Sequence, residues 1–178
     1  MPDIQITPYA SPYETMTVSA YIDAFSGAPW FDVWEPQWVA DRLTWLNSVP
    51  NATSLVALDK DQVVGGLFGY AKPYKGRLDF EIAELFVTQA WQGQGIGKTL
   101  IAELDRLPQG KDINVVHLLT ARDSTSETFY QRLGFTRNDR LGFLIKRRPS
   151  RSNGSITGKG CGGLRQRFFP IATSPSDR

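Results

Sequence analysis

The chain has one cysteine, Cys161, one histidine, His117, and no apolar run approaching the roughly 20 residues that a membrane-crossing helix needs. A lone cysteine excludes an internal disulfide, and a single histidine leaves no cluster of the kind that holds zinc. Metal catalysis and a membrane partner are therefore not expected. The first residues, MPDIQITPYASPYET, have no basic segment followed by an apolar stretch, so a signal peptide is not expected and a cytoplasmic location is. A length of 178 residues suits one well-packed domain.

Charge is unevenly spread. Residues 1–145 carry 12 Lys+Arg against 17 Asp+Glu, whereas residues 146–178 carry 8 against 1. The second region is rich in Gly, Ser, Pro and Arg and has no apolar period, so it cannot bury enough surface to offset its ordering entropy. The expected division is a folded domain over residues 1–147 and a disordered basic tail over residues 148–178. Cys161 would be exposed in that tail. A solvated tail is the plain reading, and a nucleic-acid or acidic-partner contact is the alternative.

Along the first part, DIQITPY reads as a strand. Ser11-Pro12-Tyr13-Glu14 then pairs a capping box with a proline at a helix start, predicting a helix to about Gly27. A second helix follows Pro36, with Val39, Leu43 and Leu46 as its inward stripe. TSLVAL, QVVGGLFGYA and LDFEIAELFV read as a meander of three strands, the last two joined by a polar loop holding Pro73 and Gly76. GKTLIAELDRL is a helix stopped by Pro108 and Gly110, and INVVHLLTA a buried strand that makes His117 structural. Ser124-Thr125-Ser126-Glu127 is a capping box opening a short helix that ends at Gly134, and GFLIK is the expected last strand. The order β-α-α-β-β-β-α-β-α-β predicts an α+β fold, a mostly antiparallel central sheet flanked by helices.

The most informative stretch is Glu81-Ile82-Ala83-Glu84-Leu85-Phe86-Val87-Thr88-Gln89-Ala90-Trp91-Gln92-Gly93-Gln94-Gly95-Ile96-Gly97-Lys98-Thr99-Leu100. A strand runs into glycines and the glycines into a helix, so the backbone can approach a ligand where unpaired N–H groups attract phosphate. A dinucleotide fingerprint fails, because the spacing is G-x-G-x-G and the strand belongs to a meander. A P-loop fails because only three residues separate Gly93 from Gly97. Gln92, Gly95 and Gly97 do meet a third pattern, Q/R-x-x-G-x-G/A.

At this point the chain resembles the GCN5-related N-acetyltransferase (GNAT) superfamily, whose members use that turn to hold the pyrophosphate of acetyl-CoA. The resemblance spans roughly residues 3–147 and is strongest at 81–100 and 124–135. It implies the GNAT acyl-CoA N-acyltransferase fold and acetyl-CoA as co-substrate. The implied cofactor contacts are Leu85, Phe86, Val87, Gln92, Gly93, Gln94, Gly95, Ile96, Gly97, Lys98 and Thr99, with the Val87 N–H polarising the thioester carbonyl.

Phe129-Tyr130-Gln131-Arg132-Leu133-Gly134-Phe135 looks like the family's second block, which implies that Tyr130 returns a proton to the leaving thiolate. Many relatives carry Asn seven residues earlier, where this chain has Asp123, so no cofactor contact is carried to that position.

An amine must be neutral to attack, yet a free alkylamine titrates near ~10, so a base is useful. Glu81 and Glu84 are the candidates. Strand alternation predicts that they point to opposite faces, leaving one for the site. By the resemblance the base lies four residues before the first backbone contact, Leu85, which favours Glu81.

Trp30, Trp34, Trp38 and Trp45 gather near the first two helices, which shape the acceptor pocket in similar enzymes. They could enclose an apolar or cationic substrate, while Trp38 and Trp45, seven apart, could equally be core. The expected activity is direct acetyl transfer to a primary amine of a small molecule or peptide. Two alternatives stand beside it: a module that binds acyl-CoA without turnover, and a binder acting through the basic tail. A homodimer stays open.

Overall fold

The computed structural model describes residues 4–146 apart from Pro29 and Gln109, so the basic tail and Cys161 lie outside the described residues. Strands β1 (Ile4–Pro8), β2 (Ala52–Asp59), β3 (Gln62–Tyr74), β4 (Arg77–Val87) and β5 (Ile113–Leu118) form one sheet in that order. The first three junctions are antiparallel and β4–β5 is parallel. A parallel pair needs a crossover, here α3 (Ile96–Ala102) prolonged by a 3-10 turn over Glu103–Arg106. Helices α1 (Glu14–Ser26) and α2 (Pro36–Ser48) precede the meander, and α4 (Thr125–Arg132) follows β5.

Each face of the sheet has its own core. On one, Val18 and Tyr21 of α1 and the predicted stripe Val39, Leu43 and Leu46 of α2 pack with Phe68 and Phe86. On the other, Ile96, Leu100 and Leu104 pack with Leu67, Phe80 and Ile82. Burying a side chain of this size contributes about 1.5–3 kcal/mol, which is why the α2 stripe fixes that helix on the sheet.

Four expectations are corrected. The Ser11–Glu14 capping box does not form: Ser11–Tyr13 is a 3-10 turn closed by the Tyr13 N–H on the Ala10 carbonyl, and the α-helix begins only at Glu14. The loop at Pro73 and Gly76 is a tight hairpin, because Lys75 (φ +48°) and Gly76 (φ +79°) both adopt the left-handed conformation such a turn requires, and Pro73 stays in the ladder opposite Leu78. The INVVHLLTA strand is not buried, for β5 borders the sheet and Val115 is 44% exposed. GFLIK forms no strand; Phe143 and Leu144 are exposed, so little apolar burial holds the segment to the sheet.

Candidate active site

The site begins with an irregularity in β4. In its ladder with β3, Phe68 pairs with Glu84 and Gly69 with Ile82, so Ala83 is an extra, bulged residue. A bulge resets the alternation of side chains. Phe80 and Ile82 belong to the core under α3, whereas Phe86 belongs to the core under α1 and α2 and Glu84 reaches residues of those two helices. Glu81 pairs with Tyr70 and Glu84 with Phe68, and both partners pack on the α1/α2 side. The two glutamates therefore share one face, which corrects the expectation of opposite faces. The β4–β5 pairing also ends here, at Ile82 opposite Leu118, so beyond the bulge β3 is the only ladder partner of β4 among the described residues.

Two cavities meet at this splay. The first, about 590 Å³, is lined by Leu85, Phe86 and Val87 at the strand end, by Gln92, Gly93, Gly95, Ile96, Gly97 and Lys98 of the glycine turn, and by Phe129, Tyr130 and Arg132 of α4. Of the predicted cofactor contacts only Gln94 and Thr99 are not among its walls; their side chains bond back to the Ala90 and Gly95 carbonyls. Gly93 (φ +76°) and Gly95 (φ +86°) are left-handed, and a Cβ on either would meet no protein atom within 4 Å, so the backbone there lies open to a ligand. Gly97 acts differently. A Cβ on it would come within 3.1 Å of the Phe129 ring, so its absence lets α4 pack against the turn. The turn is anchored by the Gln92 amide donating to the Val87 carbonyl (3.0 Å) and by the Gln89 N–H donating to Asp23 of α1 (2.7 Å). Lys98 and Arg132 supply positive charge beside the open amides, an arrangement suited to phosphates.

Helix α4 is set by its caps. The Ser124 hydroxyl accepts from the Glu127 N–H (3.1 Å), as the capping box predicts, while the Glu127 carboxylate takes the Asp123 N–H (2.6 Å) and the Arg137 guanidinium (2.7 Å). Gly134 (φ +90°) ends it, with the Phe135 N–H donating to the Tyr130 carbonyl. The Tyr130 ring is thereby fixed edge-on to Phe135 at 5.5 Å, and it lines both cavities. No described residue hydrogen-bonds its hydroxyl. Burial, and then the negative charge of Glu84, push that phenol well above the ordinary tyrosine range.

The second cavity, about 630 Å³, lies between α1, α2, the loop over residues 30–35 and the splayed strand ends. Glu84 is on its wall and Glu81 is not. Glu84 is buried, accepting from Arg42 Nε of α2 (2.6 Å) and from the Tyr21 hydroxyl of α1 (3.2 Å). Burial pushes its carboxyl up and the Arg42 charge only partly opposes this. Glu81 is bonded to Lys72 Nζ at 2.8 Å; burial would raise its carboxyl, but the Lys72 and Tyr70 hydrogen bonds outweigh burial and hold it below the usual range.

Trp30, Trp34 and Trp38 line the second cavity, whereas Trp45 does not. Neither Trp38 nor Trp45 is core, at 39% and 61% exposure. Tyr21, Arg42, Asp32 and Glu35 were not singled out from the sequence. Arg42 alone left a signal: it lies on the Val39–Leu43–Leu46 face of α2, where a charge needs a buried partner.

Residues 50–137 match the model of the acetyltransferase (GNAT) domain family. Several solved structures share the fold. An integron cassette protein from the V. cholerae mobile metagenome is 17% identical, covering 83% of this chain and 93% of its own, with a TM-score of 0.68. An aminoglycoside acetyltransferase from an uncultured soil metagenomic sample is 22% identical, covering 82% and 97%, with a TM-score of 0.63. A ribosomal-protein-alanine N-acetyltransferase from Brucella melitensis biovar Abortus 2308 is 16% identical, covering 81% and 99%, with a TM-score of 0.60. No curated protein matches the chain.

Proposed function

Because the chain belongs to the GNAT acetyltransferase superfamily, we propose that it transfers the acetyl group of acetyl-CoA directly to a primary amine held in the second cavity. The observation that carries this reading is the meeting of two cavities at Tyr130, one with an open glycine turn and one with a buried carboxylate. Acetyl-CoA supplies an activated acetyl group as a thioester. Its phosphates suit the amides at Gly93–Gly97, with Lys98 and Arg132 beside them.

In the transfer the amine gains the acetyl group and loses a proton, and the thiol departs with one. Tyr130, kept protonated by burial, donates the second proton, and Glu84 accepts the first, directly or through water. Arg42 and Tyr21 hold the Glu84 carboxylate in place. The Val87 N–H polarises the carbonyl.

The test is steady thiol release from acetyl-CoA across a panel of primary amines and short peptides. No release with any acceptor, alongside measurable CoA binding, would favour the non-catalytic module. Glu84→Gln should lower kcat/KM by about 10²-fold and Glu81→Gln by less than about threefold, since only Glu84 lines the acceptor cavity. The reverse order would return the role to Glu81. Gly95→Val forces a β-branched residue into the left-handed region and projects it at the ligand, so CoA affinity measured by calorimetry should fall by more than about tenfold. An affinity within about twofold of the parent would move the cofactor elsewhere.

A further inference from the structure

The second cavity carries more negative charge than transfer requires. Arg42 and Glu84 neutralise each other there, and the remaining charged walls are Asp32 and Glu35, neither of them in an ion pair among the described residues. Both come from the loop that also supplies Trp30, Phe31 and Trp34, and Trp38 of α2 stands beside them.

That loop is tied down rather than free. The Phe31 and Trp30 N–H groups donate to the Gly27 carbonyl (2.9 and 3.0 Å), and the Asp32 N–H donates to the Phe25 carbonyl (2.9 Å). Phe31 is held at φ +49°, a costly conformation for a bulky residue, and the residue is 71% exposed. Trp30 packs on Phe25 at 5.9 Å, and Trp34 stands perpendicular to Tyr21 at 5.3 Å. Aromatic residues lining a cavity together with carboxylates that no described cation pairs form a site for a cation.

That cation is not the reacting nitrogen. The attacking amine must shed its proton, and two nearby carboxylates would hold the proton on and slow the attack. A group that stays charged throughout transfer meets no such conflict. Resting on the acetyl-transfer reading, we propose that the acceptor is a primary amine bearing a second cationic centre, which the loop of Trp30, Phe31, Asp32, Trp34 and Glu35 receives while the first amine reaches Tyr130.

The experiment measures kcat/KM with acetyl-CoA for a series of α,ω-diamines, each against the n-alkylamine of equal chain length, with a phenylalkylamine as a purely apolar filler. The best diamine should exceed its monoamine by about tenfold or more, and the advantage should shrink as salt is added. The combined Asp32→Asn, Glu35→Gln variant should bring that ratio close to one, acting on KM more than on kcat. Monoamines or the phenylalkylamine equalling or beating every diamine would overturn the second cationic centre and leave acetyl transfer standing. A diamine preference that survives the double substitution would overturn the assignment to this loop. No thiol release with any amine would overturn acetyl transfer itself, and this proposal with it.

Discussion

Replacing Tyr130 by phenylalanine should lower turnover by about 10²-fold or more while leaving CoA affinity unchanged, because the variant loses a proton donor and keeps the ring. The ring contacts with Phe129 (5.0 Å) and Phe135 (5.5 Å) involve no hydroxyl, so α4 should keep its packing. Tyr130 lines both cavities. Burial and the Glu84 charge both favour its neutral form, so it stays a donor across the working pH range and should add no alkaline limb to the rate profile. An unperturbed thiol titrates near ~8.5 and can leave as thiolate, which places the loss toward the lower end for general acid catalysis. For the same reason an acyl donor with a more acidic thiol should lose less. Unchanged turnover, measured where chemistry limits the rate, would make Tyr130 a packing residue only.

Arg42→Leu should destabilise the fold by about 1–3 kcal/mol at neutral pH, less than the cost of breaking a fully buried pair because the Arg42 side chain is 38% exposed while Glu84 is buried. Glu84 would keep only the Tyr21 hydroxyl, in a setting that already pushes its carboxyl up. The sign of the pH dependence follows. A carboxyl whose folded pKa lies above its unfolded one is no handicap below the unfolded value, where both states are protonated, and costs stability as pH rises through the folded value. The Arg42→Leu deficit should therefore be small in acid and grow toward neutrality. Adding Glu84→Gln should recover most of it, since a neutral amide leaves no buried charge. Denaturant melts of both variants across that range provide the check. A deficit independent of pH, or a double variant no better than the single, would mean that Arg42 stabilises through packing alone.

Both residues show where reading along the chain stops being sufficient. The opposite-face expectation for Glu81 and Glu84 rests on strict alternation, and a single bulged residue, Ala83, cancels it. Whether a strand bulges depends on its neighbour's register, which lies in another segment. The β5 expectation erred in a related way: an apolar run reads as buried, yet β5 borders the sheet. Tryptophans seven apart on α2 suit a core stripe, but the buried stripe is Val39, Leu43 and Leu46, leaving Trp38 for the cavity wall and Trp45 for the surface.

What the sequence determined by itself is what depends on near neighbours: the glycine turn with its left-handed Gly93 and Gly95, the Ser124–Glu127 cap that starts α4 with Tyr130 on it, and the α2 stripe. Backbone sterics and bonds spanning a few residues set these features, so composition and spacing suffice. Only the tertiary structure decided that Glu84 meets Arg42 and Tyr21, 42 and 63 residues away in the chain, and that Glu81 turns to Lys72 instead. It alone decided that the loop carrying Asp32 and Glu35 walls the same cavity as Tyr130. These are long-range juxtapositions fixed by ladder register and helix packing, and no local pattern carries that information.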